Sequence, residues 1–338
     1  MTAILLVLVS LVCAQEDAKI RIALGSCAHQ DSAQVIWREV EEWDPDLFIH
    51  LGDAVYSDTN DPAVMAEAYA RAEGEEHFAS VRTRVPFLST WDDHDYGEND
   101  GGAAYTMKTE SERLFHAFWS TQADSERVSR PGVYVARSIE KASYTVQVIV
   151  LDTRSFRSDW APGQGGIQRY RPDSDPEKTM LGAEQWSWLK EQLTIPADLR
   201  IVASSIQVVN NEHGWECWGN FPMERQRLFD LIQSSLADRV ILVSGDRHFS
   251  ELTVERSGVP YPLYDLTSSG LTQVARDGHR VPNSKRVGSA VSVQNFAGLV
   301  ADLANDRLEF VVIDRTGDVR YRHHIDLKTL TRPREITD

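Results

Sequence analysis

Cysteine is scarce in this chain. Three occur in 338 residues, which excludes the dense disulfide framework that holds small secreted domains together. Basic residues are also short, with 35 Lys and Arg against 51 Asp and Glu and a formal charge of -16. That balance argues against a nucleic-acid partner, because phosphate backbones are bound by basic patches. An acidic protein that handles phosphates must supply cations locally, from arginine or from metal ions. No apolar run reaches the roughly 20 residues that span a bilayer. No repeat or low-complexity linker interrupts residues 20–325. With 42% hydrophobic residues, the chain has enough apolar surface to bury a large core. Composition leaves the oligomeric state open.

The N-terminus carries the one long apolar run, "MTAILLVLVSLVCAQ", with small residues around Cys13-Ala14 suited to cleavage. It reads as a signal peptide over residues 1–15, followed by a single domain over 16–338. The expectation is an exported protein, secreted or periplasmic. Lipidation at Cys13 is the less favoured form, since Val12 before it is larger than that signal prefers. After cleavage, Cys27 and Cys217 remain, enough for one disulfide.

Along the rest of the chain, strand and helix patterns alternate. "KIRIALGSC", "PDLFIHLGD" and "VPFLSTWDDHD" read as buried strands, separated by "SAQVIWREVEEW" and "PAVMAEAYARAE", whose apolar spacing is helical. The helix "ESERLFHAFW" and the hairpin "GVYVARS"/"SYTVQVIVLDTRS" follow. Then come the helix "GAEQWSWLKEQL", the strand "RIVASSIQVV", the helix "PMERQRLFDLIQSS" and a strand over "RVILVSGDRHFSEL". The tail "GLVADLANDRLEFVVIDRTGDVRYRHHI" alternates apolar and polar residues between turn signals, the pattern of antiparallel strands. Mixed sheets covered by helices bury such elements economically. The expected fold is α/β, a four-layer α/β/β/α sandwich of mixed sheets.

Polar side chains collect just beyond the C-terminal ends of the buried strands: Cys27, Asp53 and Tyr56, Asp93 and His94, Gln207 and Asn210, Asp246 and His248. Open α/β sheets bind ligands there. The segment "WDDHDYGENDGG" (91–102) alone packs Asp92, Asp93, Asp95, Glu98 and Asp100 around His94. Either water screens that charge or a cation belongs in it. The EF-hand spacing is absent.

The blocks "GSC", "GDAVY", "WDDHDYG", "GDRHFSEL" and "YDLTSSGL" resemble the signature segments of the PhoD-like alkaline phosphatase D family, within the calcineurin-like binuclear metallophosphoesterases. The resemblance implies hydrolysis of a small-molecule phosphate ester by a metal-activated hydroxide. The implied reaction is that of a monoesterase, with a phosphodiesterase or phospholipase D-like enzyme as the alternative. A metal-binding surface module without catalysis is the reading outside enzymes. The resemblance also implies the cofactors, Fe(III) with Ca(II) or another divalent ion such as Zn, Mn or Mg.

By the same resemblance Asp53 bridges the ions, and Cys27 and Tyr56 bind the iron as thiolate and phenolate. Asp93 binds the second ion. Asp246 and His248, two apart on an extended stretch, reach the cluster together. His94 donates a proton to the leaving group or stabilises phosphoryl charge. Gln207 stands where related enzymes carry a metal-binding histidine, with His213 as the less favoured substitute. Asp92, Asp95 and Glu98 are expected to support these ligands or to bind calcium.

Other readings stay open on residues alone. Cys27 is a ligand, a free thiol or the disulfide partner of Cys217. Arg154, in "LDTRSFR", either clamps substrate phosphate or pairs with an acid such as Asp152. The aromatic-bearing loops "SDWAPGQGG" (158–166) and "HGWECWGNFP" (213–222) read as a rim selecting the organic group of the substrate. Asn210 and Trp218 are the substrate-binding candidates there.

Overall fold

The computed structural model describes residues 19–120 and 124–332; the apolar run over 1–15 lies outside them. Among the described residues the chain runs β1 (Ile20–Gly25), α1 (Ile36–Trp43), β2 (Leu47–Leu51), α2 (Pro62–Glu73), α3 (Glu76–Arg84) and β3 (Phe87–Thr90). Then come α4 (Asp93–Tyr96), α5 (Lys108–Phe118), α6 (Ser125–Val128), β4 (Val135–Lys141), β5 (Tyr144–Val150), β6 (Pro162–Gly165) and β7 (Gln168–Tyr170). They are followed by α7 (Gly182–Gln192), β8 (Leu199–Ala203), α8 (Pro222–Ser234), β9 (Val240–Ser244), β10 (Ser250–Glu255) and β11 (Leu263–Ser268). The last four strands are β12 (Arg286–Val291), β13 (Asn295–Asp302), β14 (Arg307–Asp314) and β15 (Val319–Asp326).

Two mixed sheets result. The first has six strands in the order β15-β14-β13-β1-β2-β3, and the second has seven, β12-β10-β11-β9-β8-β5-β4. In the first, β1, β2 and β3 are parallel, and β13 pairs antiparallel with β1, so the C-terminal meander completes the sheet that the N-terminal strands begin. In the second, β5, β8, β9 and β11 are parallel, and both margins are antiparallel.

Alternation along the strands sorts side chains into layers. Ile22, Leu24, Ile49, Leu51 and Phe310 enter one large core together with Val148, Ile201 and Leu242 of the second sheet. Ala23, Phe48 and Val311 point the other way, into a second core with Trp37 and Val40 of α1, Phe78 of α3 and Phe115 of α5. On the far side, Trp186 and Leu189 of α7 and Leu228 and Phe229 of α8 extend the first core. The order is helices, sheet, sheet, helices, the expected four layers.

Local chemistry fixes the ends. Asp61 accepts from Ala63 N–H at 2.8 Å and Pro62 opens α2, a preferred helix start. The pattern missed α3, whose buried face is only Phe78 and Val81. It also overran at three strand ends. β3 stops at Thr90 and β8 at Ala203, and "RVILVSGDRHFSEL" breaks into β9 and β10 at Gly245–Phe249. Each overrun falls where the backbone turns to present a polar side chain.

Candidate metal centre

Four of the side chains singled out from the sequence sit on residues with left-handed backbone: Cys27 (φ 63°), Asp53 (55°), Asp246 (67°) and His248 (60°). Non-glycine residues seldom adopt positive φ, and such strain gathers at functional sites. It also corrects one expectation: Asp246 and His248 stand in a tight turn between β9 and β10, not on an extended stretch.

The surrounding loops hold this strain by stitching to one another. Ala28 N–H donates to Asp53 O (2.8 Å), Thr272 N–H to Cys27 O (3.0 Å) and His248 N–H to Ser269 Oγ (2.7 Å). The Asp95 carboxylate accepts three backbone N–H groups, from Asp92 (2.6 Å), Ala54 (3.1 Å) and Asp53 (3.2 Å). It therefore shapes the loop that carries Asp53. Gly52 is required there, because a Cβ would lie 2.5 Å from Asp92 Cβ and its φ is +101°.

Asp53 is the centre of the arrangement. Ligand atoms of Cys27, Asp53 and His248 lie within 4.8 Å of one another, and so do those of Asp53, Asp93 and His94. Tyr56 joins them: its hydroxyl donates to Asp53 Oδ2 (3.2 Å) and lies 3.2 Å from His248 Nε2. Cys27 Sγ lies 3.4 Å from Asp53 Oδ2 and 3.1 Å from Ser269 Oγ. Asp246 belongs to neither set, but its buried Oδ2 has no hydrogen-bond partner among the described residues, and Arg247 Nη1 lies 3.5 Å from it. His94 Nδ1 lies 2.7 Å from Asp58 Oδ2, and its ring packs 4.2 Å from that of Tyr56. Cys27, Asp53 and Asp93 are buried, whereas Tyr56, His94, Asp246 and His248 are half-buried, so the cluster opens on their side.

Without a cation Cys27, Tyr56 and Asp53 hold their protons. Burial, with Asp53 adding, pushes the Cys27 thiol well up; burial, Asp53 and Cys27 do the same to the Tyr56 phenol. Burial also raises Asp53 well above the usual carboxylate range, outweighing the attraction of His94. The Cys27 thiol, Tyr56 phenol and Asp53 carboxyl, crowded with Asp93 and the His248 imidazole beyond strand ends of both sheets, fit cations, which replace those three protons.

Residues 22–254 match the family model of the PhoD-like phosphatases. This chain belongs to the PhoD-like phosphatase family. It is 22% identical to alkaline phosphatase D of Bacillus subtilis (strain 168) over 266 residues, 68% of this chain but 46% of that protein. It thus spans under half the length of that curated relative. Its fold matches the solved structure of PhoD with a TM-score of 0.75 at 17% identity, covering 95% of this chain and 72% of the other. It also matches a purple acid phosphatase from yellow lupin (Lupinus luteus) seeds, with a TM-score of 0.66 at 13% identity, over 96% of this chain and 58% of the other.

Several expectations for this PhoD-like chain change with the structure. Arg154 is fully buried and does not face the cluster's opening. Its guanidinium grips Asp92 Oδ1 (Nε 2.7 Å, Nη2 2.5 Å) and Glu216 (Nη1–Oε1 2.8 Å, Nη2–Oε2 2.9 Å). The clamp reading gives way to an ion pair, with Asp92 and Glu216 rather than Asp152.

Gln207 also has both ends engaged. Its amide donates to Glu251 Oε1 (2.8 Å) and Thr267 Oγ1 (2.7 Å), and its oxygen faces His213 Nε2 at 3.0 Å. His213 falls in no cluster of three or more His, Cys, Asp and Glu ligand atoms among the described residues, and Gln207 spends its amide and its oxygen on those three partners. Asn210 is buried and donates to Glu251 Oε1 at 3.3 Å. Trp218 is buried in the core with its indole N–H on Ser204 Oγ. The aromatic that reaches the surface is Trp215, 38% exposed.

Cys27 and Cys217 are both free and buried, which removes the disulfide. Alkylation after unfolding without reductant is expected to modify both, as read by peptide mapping. A crosslinked 27–217 peptide would contradict the arrangement.

Sequence reading passed over Asp58, Ser269 and Arg247. Arg247 carried a signal, since it stands between two candidate ligands in "GDRH". Asp58 and Ser269 are ordinary loop residues until the fold brings them in.

The crowded acids set a pH dependence for the cation-free protein. Burial pushes Asp95 up to about 7, against three backbone N–H donors, Asp100 to about 7 with Glu216 adding, and Asp246 to about 6 against Arg247. A carboxyl raised in the folded state contributes stability that is fully present below its unfolded value, about 4. That contribution is lost as pH rises through the folded value. His94 has the same sign: burial lowers it, but Asp53, the bond to Asp58 and Asp93 lift it to about 11. His50 and His248, pushed down by burial to about 3 and about 4, and His213, also lowered by burial, have the opposite sign below about pH 6.5. Calorimetry in chelator is therefore expected to show thermal stability falling as pH rises from about 6.5 to 8, restored by added divalent metal. A flat profile in chelator would count against the crowding of acids described here.

Proposed function

We propose that this protein hydrolyses phosphate esters with metal ions held around Asp53. One observation carries the reading: Asp53 belongs to two ligand sets at once, with Cys27 and His248 on one side and Asp93 and His94 on the other. Family membership supports the same reaction class. Cys27, Tyr56, Asp53 and His248 would hold an iron(III), since thiolate and phenolate are anionic ligands suited to it. Asp53 and Asp93 would hold a divalent ion, calcium being favoured by oxygen donors. When bound, such ions supply an activated hydroxide and neutralise charge on the transferring phosphoryl group.

The chain's own residues then have distinct tasks. Asp58 holds His94 at Nδ1, and the Tyr56 ring packs against the imidazole, leaving Nε2 to deliver a proton to the leaving-group oxygen. Asp95 keeps Asp53 in its left-handed conformation without touching the reaction. We infer a monoester substrate first and a diester second, in a protein exported by the signal read at residues 1–15. Cell fractionation tests export; protein retained wholly in the cytoplasm removes it. Turnover is tested on an aryl phosphate monoester and the matching diester with one preparation. Hydrolysis of either, abolished by chelator and restored by metal, is expected. Loss of neither activity in chelator would remove metals from the mechanism.

A further inference from the structure

A cavity of about 590 Å³, within the size range of small-molecule sites, is linked to the metal centre through neighbours, Tyr170 of its lining touching Asp100 and Trp215 lying beside Arg247. The β6–β7 hairpin and the loop at 211–215 form two of its walls, with 277–282 closing it. Hairpin and loop are joined directly, Tyr170 N–H donating to Gly214 O at 2.9 Å. Gly214 is there because a Cβ would lie 2.3 Å from Ile167 O. Ile167, Pro172, Trp215, Val281 and Pro282 give the lining its apolar area.

Two chains of contact lead from this cavity to the metal centre. The hydroxyl of Tyr170, on the wall, donates to Asp100 Oδ2 (2.6 Å), and Asp100 N–H donates to Asp93 Oδ2 (2.8 Å). On the other side, the Arg247 guanidinium lies 5.8 Å from the Trp215 ring and 3.5 Å from Asp246 Oδ2. Arg169 also sits 5.9 Å from that ring and 2.5 Å from Asp100. The two guanidinium groups thus lie at the outer limit of contact with the Trp215 ring, between an anionic metal site and an apolar cavity. The Arg247 side chain, 10% exposed beside Asp246, offers a cation to a phosphoryl oxygen.

Building on the hydrolase reading, we propose that the cavity receives the organic group of the ester and that this group is a planar apolar ring stacked on Trp215. The phosphoryl group then lies at the cluster beside Arg247. A small polyol ester would leave Ile167, Pro172, Val281 and Pro282 without partners.

The test compares wild type, Trp215→Ala and Trp215→Phe on p-nitrophenyl phosphate and glycerol 2-phosphate. Trp215→Ala is expected to lower the aryl-to-glycerol ratio of kcat/KM by roughly tenfold, through KM, the usual size of a stacking loss. Trp215→Phe is expected to recover most of it. An unchanged ratio, with both substrates equally affected, overturns the proposal, since a merely structural Trp215 gives that result. Calorimetry with phenylphosphonate and methylphosphonate separates this from failure of hydrolysis itself. Tighter binding of the phenyl compound, lost in Trp215→Ala, supports the cavity even if neither ester is cleaved. Equal binding, or none, overturns it.

Discussion

His94→Ala is expected to turn over a phosphate ester about two to four orders of magnitude more slowly than wild type, the usual worth of general acid–base help. Its metal content and melting temperature should change little. The geometry separates His94 from its neighbours in this way. Its side chain is 19% exposed, whereas Asp53 and Asp93 are buried, and Asp58 holds Nδ1 from the solvent side. The Asp53–Asp93 pair remains when the ring is removed. Two substrates sharpen the result. An ester with a good leaving group needs little protonation, so p-nitrophenyl phosphate should suffer less than an alkyl ester. Equal losses on both would move His94 from proton donor to stabiliser of phosphoryl charge. Near-full activity on both would take it out of the mechanism.

Arg154→Ala is expected to be the most destabilising single change at the site, by about 3–5 kcal/mol, because it leaves buried Asp92 without its cation and Glu216 with only Arg157, at 3.6 Å. Asp92 and Glu216 are 0% and 2% exposed. Burial alone would raise Glu216, but Arg154 and Arg157 outweigh it and hold it down to about 2. Urea unfolding with wild type and variant at the same metal loading measures the loss. The competing role predicts something else: a clamp on substrate phosphate would raise KM and leave stability within about 0.5 kcal/mol, as surface changes usually do. Arg154→Lys should fall between, since an ammonium keeps the charge but cannot make the two-pronged contact with each carboxylate.

The acids of "WDDHDYGENDGG" show what a sequence reveals and what it hides. Their concentration was legible, and it pointed to a cation. What each does was not, because five similar carboxylates meet five environments. Asp92 faces Arg154, from 62 residues away. Asp93 turns to Asp53 and His94. Asp95 is spent on three backbone N–H groups, Glu98 is exposed to water, and Asp100 binds Tyr170 and Arg169. Only the fold assigns partners at such separations.

The layers were readable because strand alternation and helix periodicity are local signals. Arg154, Gln207, Asn210 and Trp218 were misplaced for the same reason reversed: each sits just past a strand or in a loop, and its orientation depends on Glu216, Glu251, Thr267 or Ser204 from elsewhere in the chain. The strained residues had a fainter signal. Asp53 and Asp246 each follow a glycine, but nothing in the sequence announces positive φ at Cys27 or His248.

Elemental analysis of the protein, purified without chelator or added metal, tests the central claim most directly. The arrangement around Asp53 predicts iron together with calcium or another divalent ion, at near-stoichiometric levels in wild type and strongly reduced in Asp53→Ala. Folded wild-type protein without metal, which then takes up none on addition and gives no turnover, would contradict the account of these acids as a metal centre.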